Sequence, residues 1–237
     1  MATFVQTNVG LLYGGYDLSS TVFNAIGLSM GSDAVDDTVY GDTFVSNTPG
    51  LSSVTLEGEG YWSSTEDAAL FSSLGTDDTV VTVTPVDQAA GSPALFCKLT
   101  ASEYNPITGS IGEMAAFKLT GEGRGEKAVS GEILVVPATY TSSSESATNA
   151  SIGAVSATQS VYSALHVTAA SGTLDVVVES APSNWSGEAT EITHTQFTGI
   201  GAEMLSKAGV NTDAYWRVKY TISGGGSFDF ICSLAII

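Results

Sequence analysis

Glu57 and Glu59 stand two residues apart in Leu56-Glu-Gly-Glu-Gly60. The same frame returns as Leu119-Thr-Gly-Glu-Gly123, with Glu122 in the repeated position. Closely spaced carboxylates can exchange protons as an acid–base pair, hold a cation, or simply charge a surface. The flanking glycines also raise the question of phosphate binding. A phosphate loop needs glycines that open a helix and a lysine close by. Neither strip continues into a helix in that register, and neither carries the lysine. In an extended chain, Val54, Leu56, Gly58 and Gly60 share one face, and Glu57 and Glu59 the other. Leu119, Gly121 and Gly123 likewise oppose Thr120 and Glu122. Both strips read as strands with an apolar face and an acidic face. Their glutamates are either solvated or line a functional acidic surface.

The remaining reactive side chains do not assemble a reaction centre. Gly27-Leu-Ser-Met-Gly31 has the G-x-S-x-G pattern of a nucleophile elbow, but that motif requires strand, sharp turn and helix. Here Ser32-Asp-Ala-Val-Asp-Asp37 follows, which reads as an acidic loop. Asp33, Asp36 and Asp37, and separately Asp77-Asp78, lack the spacing of a calcium loop. His166 and His194 each lie in a strand pattern and read as surface sheet residues. Cys97 and Cys232 sit inside apolar runs and read as buried, unpaired core residues, with no zinc spacing. Asn149-Ala-Ser and Asn184-Trp-Ser match a glycosylation pattern that carries meaning only after secretion. No enzyme, cofactor or metal is expected.

Charge narrows the function further. Seven Lys and Arg stand against 25 Asp and Glu, a net charge of −18 over 237 residues. That field repels phosphate backbones and anionic lipid, so specific nucleic-acid binding and membrane adsorption are both disfavoured. A hydrophobic content of 43% is that of a folded chain. The opening Met-Ala-Thr-Phe-Val-Gln lacks the pattern of a signal peptide, and synthesis and folding in the cytoplasm are expected. The longest apolar run, Phe230–Ile237, is shorter than the ~20 residues of a membrane-spanning helix.

The elements that must position these residues are strands. Short Val- and Ile-rich runs alternate with Gly, Ser and Thr. Tyr215–Ile237 alternates strictly on either side of Gly224–Gly226 and reads as a hairpin. Ala164–Ser180 reads as a second hairpin turning at Ser171-Gly172. Further strands are expected over Thr21–Met30, Leu51–Tyr61, Thr79–Thr84, Ala94–Glu103, Gly112–Gly121, Val129–Val136 and Glu191–Thr198. One helix is expected near 65–75, capped by Ser64 or Thr65 and stopped by Gly75, with Ala69, Leu70 and Leu74 as its apolar stripe. A short second helix is expected over Gly201–Ala208. The polar stretch Thr139–Ser160 reads as a loop, linker or arm. The expected organisation is a β-rich part over 1–138, a linker or assembly arm over 139–160, and a β-rich part over 161–237. The fold class is all-β, a mainly antiparallel sandwich or barrel with one flanking helix.

Leu174–Val178, Trp185, Phe197-Thr198, Trp216-Arg-Val218 and Gly224–Phe230 follow one another in an order that resembles major tail tube proteins of long-tailed, non-contractile bacteriophages. Tyr16–Phe44, followed by Pro49–Trp62, also looks like such proteins. The resemblance implies a structural virion protein that forms stacked rings, commonly hexameric, around a channel for DNA ejection. It implies lateral sheet pairing between subunits. Its partners would be copies of itself and the tape measure, terminator and tip proteins, with DNA passing through unbound. On that reading Glu57, Glu59, Glu113 and Glu122 are candidates for the lumen. Asp33, Asp36, Asp37, Asp42, Tyr140 and Glu145 are candidates for assembly loops, and the site of action is the virion tail after synthesis in the host cytoplasm. The rival readings are a fibre, head-decoration or glycan-binding β module using an aromatic groove around Trp185, and a soluble acidic β-sandwich of other role.

Overall fold

The computed structural model describes residues 8–19, 23–41, 43–108, 110–146, 152–182 and 185–237. Among these, the chain is mostly antiparallel strand. In chain order the elements are β1 (Gly10–Tyr13), β2 (Tyr16–Asp17), β3 (Phe23–Asp36), β4 (Asn47–Tyr61), α1 (Ser64–Ser73), β5 (Thr79–Thr84), β6 (Pro93–Thr108) and β7 (Ala116–Gly123). There follow β8 (Val129–Tyr140), β9 (Ser144–Glu145), β10 (Ser160–Ala181), β11 (Ala189–Thr193), β12 (Gly201–Ala208) and β13 (Tyr215–Ile236). The strands join in one branching hydrogen-bonded network. The branch points are β6, β10 and β13, each of which pairs with three strands; β6 joins the N-terminal strands to the rest. One of its edges carries β5; the other carries β8 along Pro93–Phe96 and then β7 along Leu99–Thr108.

The two expected hairpins are not hairpins. β10 and β13 are two 22-residue strands paired to each other along their whole length, from Val161 opposite Ile236 to Ala181 opposite Tyr215. Register shifts near Thr168 and Gly172 bend the pair. The glycines that look like turn residues make this bend: the two strands approach so closely there that a Cβ on Gly226 would lie 2.0 Å from the Ser171 carbonyl oxygen. Both arms of the bent pair line one core, where Leu165, Val167, Val176, Val178, Val218 and Phe230 are buried together. A second core, with Leu56, Leu70, Leu99, Phe117 and Leu119, fills the N-terminal side. A third, including Leu12, Phe96, Ala164 and Ile231, joins the two.

The one helix among the described residues forms where its composition places it, but its N-cap is Ser63, one residue before Ser64, and Glu66 and Asp67 occupy the first turn. Ala69 and Leu70 turn inward, whereas Leu74 lies beyond the helix and is partly exposed. Gly201–Ala208 is a strand: β12 pairs residue for residue with Ser160–Val167 of β10, and tertiary pairing overrides its local helical propensity. Ser32–Asp36 is likewise strand, not loop, because β3 stays paired with β4 as far as Asp36 opposite Asn47.

Candidate functional site

β4 and β7 are adjacent and antiparallel, so the two acidic strips face each other. Leu56 lies opposite Gly121 and Gly58 opposite Leu119, with Glu57 opposite Thr120 between them. The leucines and glycines point into the N-terminal core, and Glu57, Glu59 and Glu122 point out. Glu103 of β6, opposite Thr120, joins them on the same outward face. The face continues onto β3 through Ala25, Gly27 and Ser29, which oppose Glu59, Glu57 and Thr55. Four carboxylates thus stand among small and hydroxylated residues, with Lys118 the one cation on these paired positions. Ser29 lies in mid-strand with its hydroxyl toward the Thr55 carbonyl oxygen, and no helix follows it. Glu113 is not on this face. It sits in the β6–β7 turn, where its carboxylate accepts from the Ser110 N–H at 3.0 Å.

The β3–β4 hairpin runs past the end of β7, whose pairing stops at Thr55 opposite Glu122. Beyond that point the hairpin exposes Met30, Val35, Tyr40, Phe44, Val45 and Leu51; Tyr40 and Phe44 are 108% and 85% exposed. Asp33 and Asp36 lie on its first strand. The Asp36 carboxylate accepts from the Thr38 N–H and hydroxyl, and Asp37 accepts from the Thr48 hydroxyl; these bonds hold both carboxyls below their usual range. Asp42 lies outside the described residues, as do Asn149 and Asn184. At the other end of β4, the end of β6 and the β6–β7 turn expose Ile107, Ile111 and Met114 next to exposed Tyr61 and Trp62. The Trp62 N–H donates to the Ala115 carbonyl oxygen at 2.9 Å. The two apolar ends are separated by the length of β4, about 3.3 Å for each residue.

Tyr140 and Glu145 are not on the hairpin. Tyr140 packs against Tyr220 and Phe230, and its hydroxyl donates to the Val136 carbonyl oxygen at 2.9 Å. Glu145, in β9, reaches Arg217 at 2.6 Å. Arg217 is nearly buried, grips Glu179 through Nε at 2.8 Å, and lies 4.5 Å over the ring of Trp185. Half-buried Trp185 is therefore covered on one ring face by a guanidinium.

Both histidines are interior. His166 is fully buried where β10 meets β5, with Nε2 2.8 Å from the Thr82 hydroxyl, and burial pushes its pKa down to about 3. His194 links the Ser163 hydroxyl, 2.9 Å from Nε2, to Glu203, 2.9 Å from Nδ1. Burial alone would raise the Glu203 carboxyl, but hydrogen bonds from His194 and the Thr195 N–H outweigh it and hold the pKa low. The chain Ser–His–Glu has the order of a nucleophilic triad, yet Ser163 is 0% exposed and no substrate can reach it. Period-two alternation puts His166 on an outward face; it cannot show that β10 is covered on both. Cys97 and Cys232 are free and buried, and burial pushes both thiols up to about 12. A 380 Å³ cavity near Glu191, Lys207, Asn211 and Asp213 is crossed by their own hydrogen bonds.

Sequence reasoning missed the apolar ends and Arg217. The signal for the first was present: Val39-Tyr40 and Phe44-Val45 are bulky residues in a turn-rich segment with no period-two partner.

No family model matches the chain, and no curated protein matches it. Among solved structures, a chain from the virion of a native gene transfer agent particle is 16% identical, with a TM-score of 0.39, over 49% of this chain and 92% of its own. A chain of an extracellular contractile injection system, a PVC sheath–tube complex in its extended state, is 12% identical, with a TM-score of 0.41, over 55% and 92%. A chain of the phage p2 baseplate in its activated conformation is 8% identical, with a TM-score of 0.36, over 94% and 97%. All three likenesses are at low identity and a TM-score below 0.5, and no function passes from them to this chain.

Proposed function

We propose that this chain is a self-assembling structural subunit of a phage-type tail, built into stacked rings whose channel conducts DNA. The observation that carries the reading is the β3–β4 hairpin. It holds Tyr40, Phe44, Val45 and Leu51 in solvent on a chain that is otherwise strongly acidic. Exposed apolar surface of that kind is stabilised by covering it. A second apolar end, at Ile107, Ile111 and Met114, lies at the far end of the same strand pair. Contact between opposite ends of successive copies is head-to-tail, and head-to-tail contacts propagate into rings or open-ended polymers.

Lateral growth is served by β3. Among the described residues its outer edge pairs with no strand, and unpaired edges invite a strand from another chain. In such a ring the face bearing Glu57, Glu59, Glu103 and Glu122 would line the channel. Fixed negative charge there repels the phosphate backbone, so DNA slides without sticking. Residues 1–138 would build the wall and 161–237 a second β lobe beside it, within a long-tailed, non-contractile particle. The partners would be copies of this chain and the tape measure, terminator and tip proteins. The subunit would be made in the host cytoplasm and reside in the virion tail. Replacing Tyr40, Phe44 and Val45 together by Ser tests the reading. The variant should fold with unchanged thermal stability and fail to form particles; particle formation at the normal rate would contradict it.

A further inference from the structure

One edge of β13 is covered in two different ways. Along Phe228–Leu234 it is paired with β8. Along Val218–Ile222 its cover is the short segment Ser143–Ser146, which includes β9. That cover is polar: Ser143, Ser144 and Glu145 are exposed, and only Ser146 is buried. Besides the pairing of Ser144 and Glu145 with Tyr220 and Lys219, polar bonds at its ends tie it down. The Ser146 N–H donates to the Val218 carbonyl oxygen at 2.7 Å, and the Val218 N–H donates to the Ser146 hydroxyl at 3.2 Å. The Ile222 N–H donates to the Ser143 hydroxyl at 2.9 Å. Glu145, half-exposed, pairs with Arg217 at 2.6 Å. Two of the edge's N–H groups are thus satisfied by serine hydroxyls, where an ordinary ladder would use carbonyl oxygens. A two-residue strand flanked by serine hydroxyls and one half-exposed ion pair opens more readily than a long strand anchored by apolar side chains.

We infer that Ser143–Ser146 is an autoinhibitory edge cap: it occupies the Val218–Ile222 edge in the free subunit and yields that edge to an extended segment of a second copy on assembly. The inference rests on the self-assembly reading and adds how premature polymerisation is restrained. Lifting the cap frees the Val218 and Ile222 N–H groups and the Val218 carbonyl oxygen, and uncovers the side of the Tyr140, Tyr220 and Phe230 aromatic cluster. A 250 Å³ cavity already lies there, between Leu134, Val136, Tyr140, Ser144 and Tyr220. A strand from another copy can supply the backbone partners that the serines imitate. Arg217 holds the closed state because Glu145 is one of its three carboxylate neighbours, with Glu179 and Glu188.

Glu145 and Lys219 are direct cross-strand partners, and the hydrogen bonds of the flanking Ser146–Val218 pair make theirs a non-hydrogen-bonded site, which suits a disulfide. The double variant Glu145→Cys/Lys219→Cys can therefore staple the cap shut. The two native cysteines are buried and stay out of the exchange. Particle growth is followed by light scattering in the oxidised and the reduced variant, with the wild-type chain alongside. Oxidised protein should assemble roughly ten-fold or more slowly than reduced protein, while reduced protein should match or exceed wild type. Equal rates in the two redox states would overturn the cap. Assembly of none of the three would overturn the self-assembly reading itself, and the cap with it.

Discussion

Leu56 lies directly across the sheet from Gly121, and the neighbouring pair Gly58–Leu119 repeats the arrangement in reverse. Each leucine enters the core opposite a residue with no side chain, and the acidic residues between them are driven to the other face. The recurring Leu-x-Gly-Glu-Gly frame is thus two halves of one strand pair. Its glycines serve packing, and its glutamates charge a surface.

Glycine packing can be graded by substitution. A Cβ on Gly131 would lie 2.1 Å from the Leu234 carbonyl oxygen, a backbone atom that cannot turn aside. Gly131→Ala should destabilise by roughly 3 kcal/mol or more. A Cβ on Gly123 would meet the Val54 Cβ at 2.9 Å, and Gly123→Ala should cost about 1–3 kcal/mol. A Cβ on Gly27 meets nothing within 4 Å. Gly27→Ala should be neutral or stabilising, within about 1 kcal/mol. Urea-unfolding midpoints of the three variants should fall in that order.

Burial decides which ion pairs matter. Arg217→Met strands Glu179, whose side chain is 7% exposed, with only Lys219 at 3.4 Å. The expected loss is ~3–5 kcal/mol. Arg124→Met removes a pair with Asp77 in which both side chains are more than half exposed, and the expected loss is at most ~1 kcal/mol. Equal losses in chemical denaturation would show that the Arg217 cluster does not act as an interior anchor.

Acid should weaken the fold through His166. The buried imidazole stays neutral down to about 3, whereas in the unfolded chain it takes up a proton below its ordinary value of about 6.5. The unfolded state therefore binds more protons across that window. Stability is fully present above 6.5 and falls as pH drops toward 3. His166→Gln can keep a partner for the Thr82 hydroxyl without the titration. Between pH 7 and 4 the wild type should lose ~3 kcal/mol more than this variant. Parallel stability curves would exclude His166 as the cause.

The charged face makes a separate prediction. Glu57→Lys/Glu122→Lys changes two exposed positions and should leave thermal unfolding within about 0.5 kcal/mol of wild type. Particles built from it should retain DNA that wild-type particles release, and the retention should fade as salt rises. Salt-independent release by both would count against an electrostatic lining.

Local alternation carried much of this fold and stopped at pairing. Trp216, Val218 and Tyr220 were legible as one strand face, because period two is set by the backbone itself. Which strand lies opposite is set by the whole chain. Gly172 and Gly224–Gly226 therefore read as turns, although they bend one long strand pair. His166 read as outward because a strand covered on both faces obeys the same alternation as one covered on one face. The acidic face was legible at Glu57, Glu59 and Glu122 from parity alone, while Glu113 falls outside it because the β6–β7 connection takes it into a turn. Arg217 was invisible because its carboxylates, Glu145, Glu179 and Glu188, come from three separate stretches of chain.

The proposed tail role requires that this chain assemble with itself. Negative-stain electron microscopy across a concentration series, with mass measured on the same samples, tests it most directly. Hollow tubes or stacked rings should appear with rising concentration and be lost when Tyr40, Phe44 and Val45 are replaced by Ser. A chain that stays a discrete monomer or trimer at every concentration, including after addition of purified tail-tip complex as a nucleus, would contradict it.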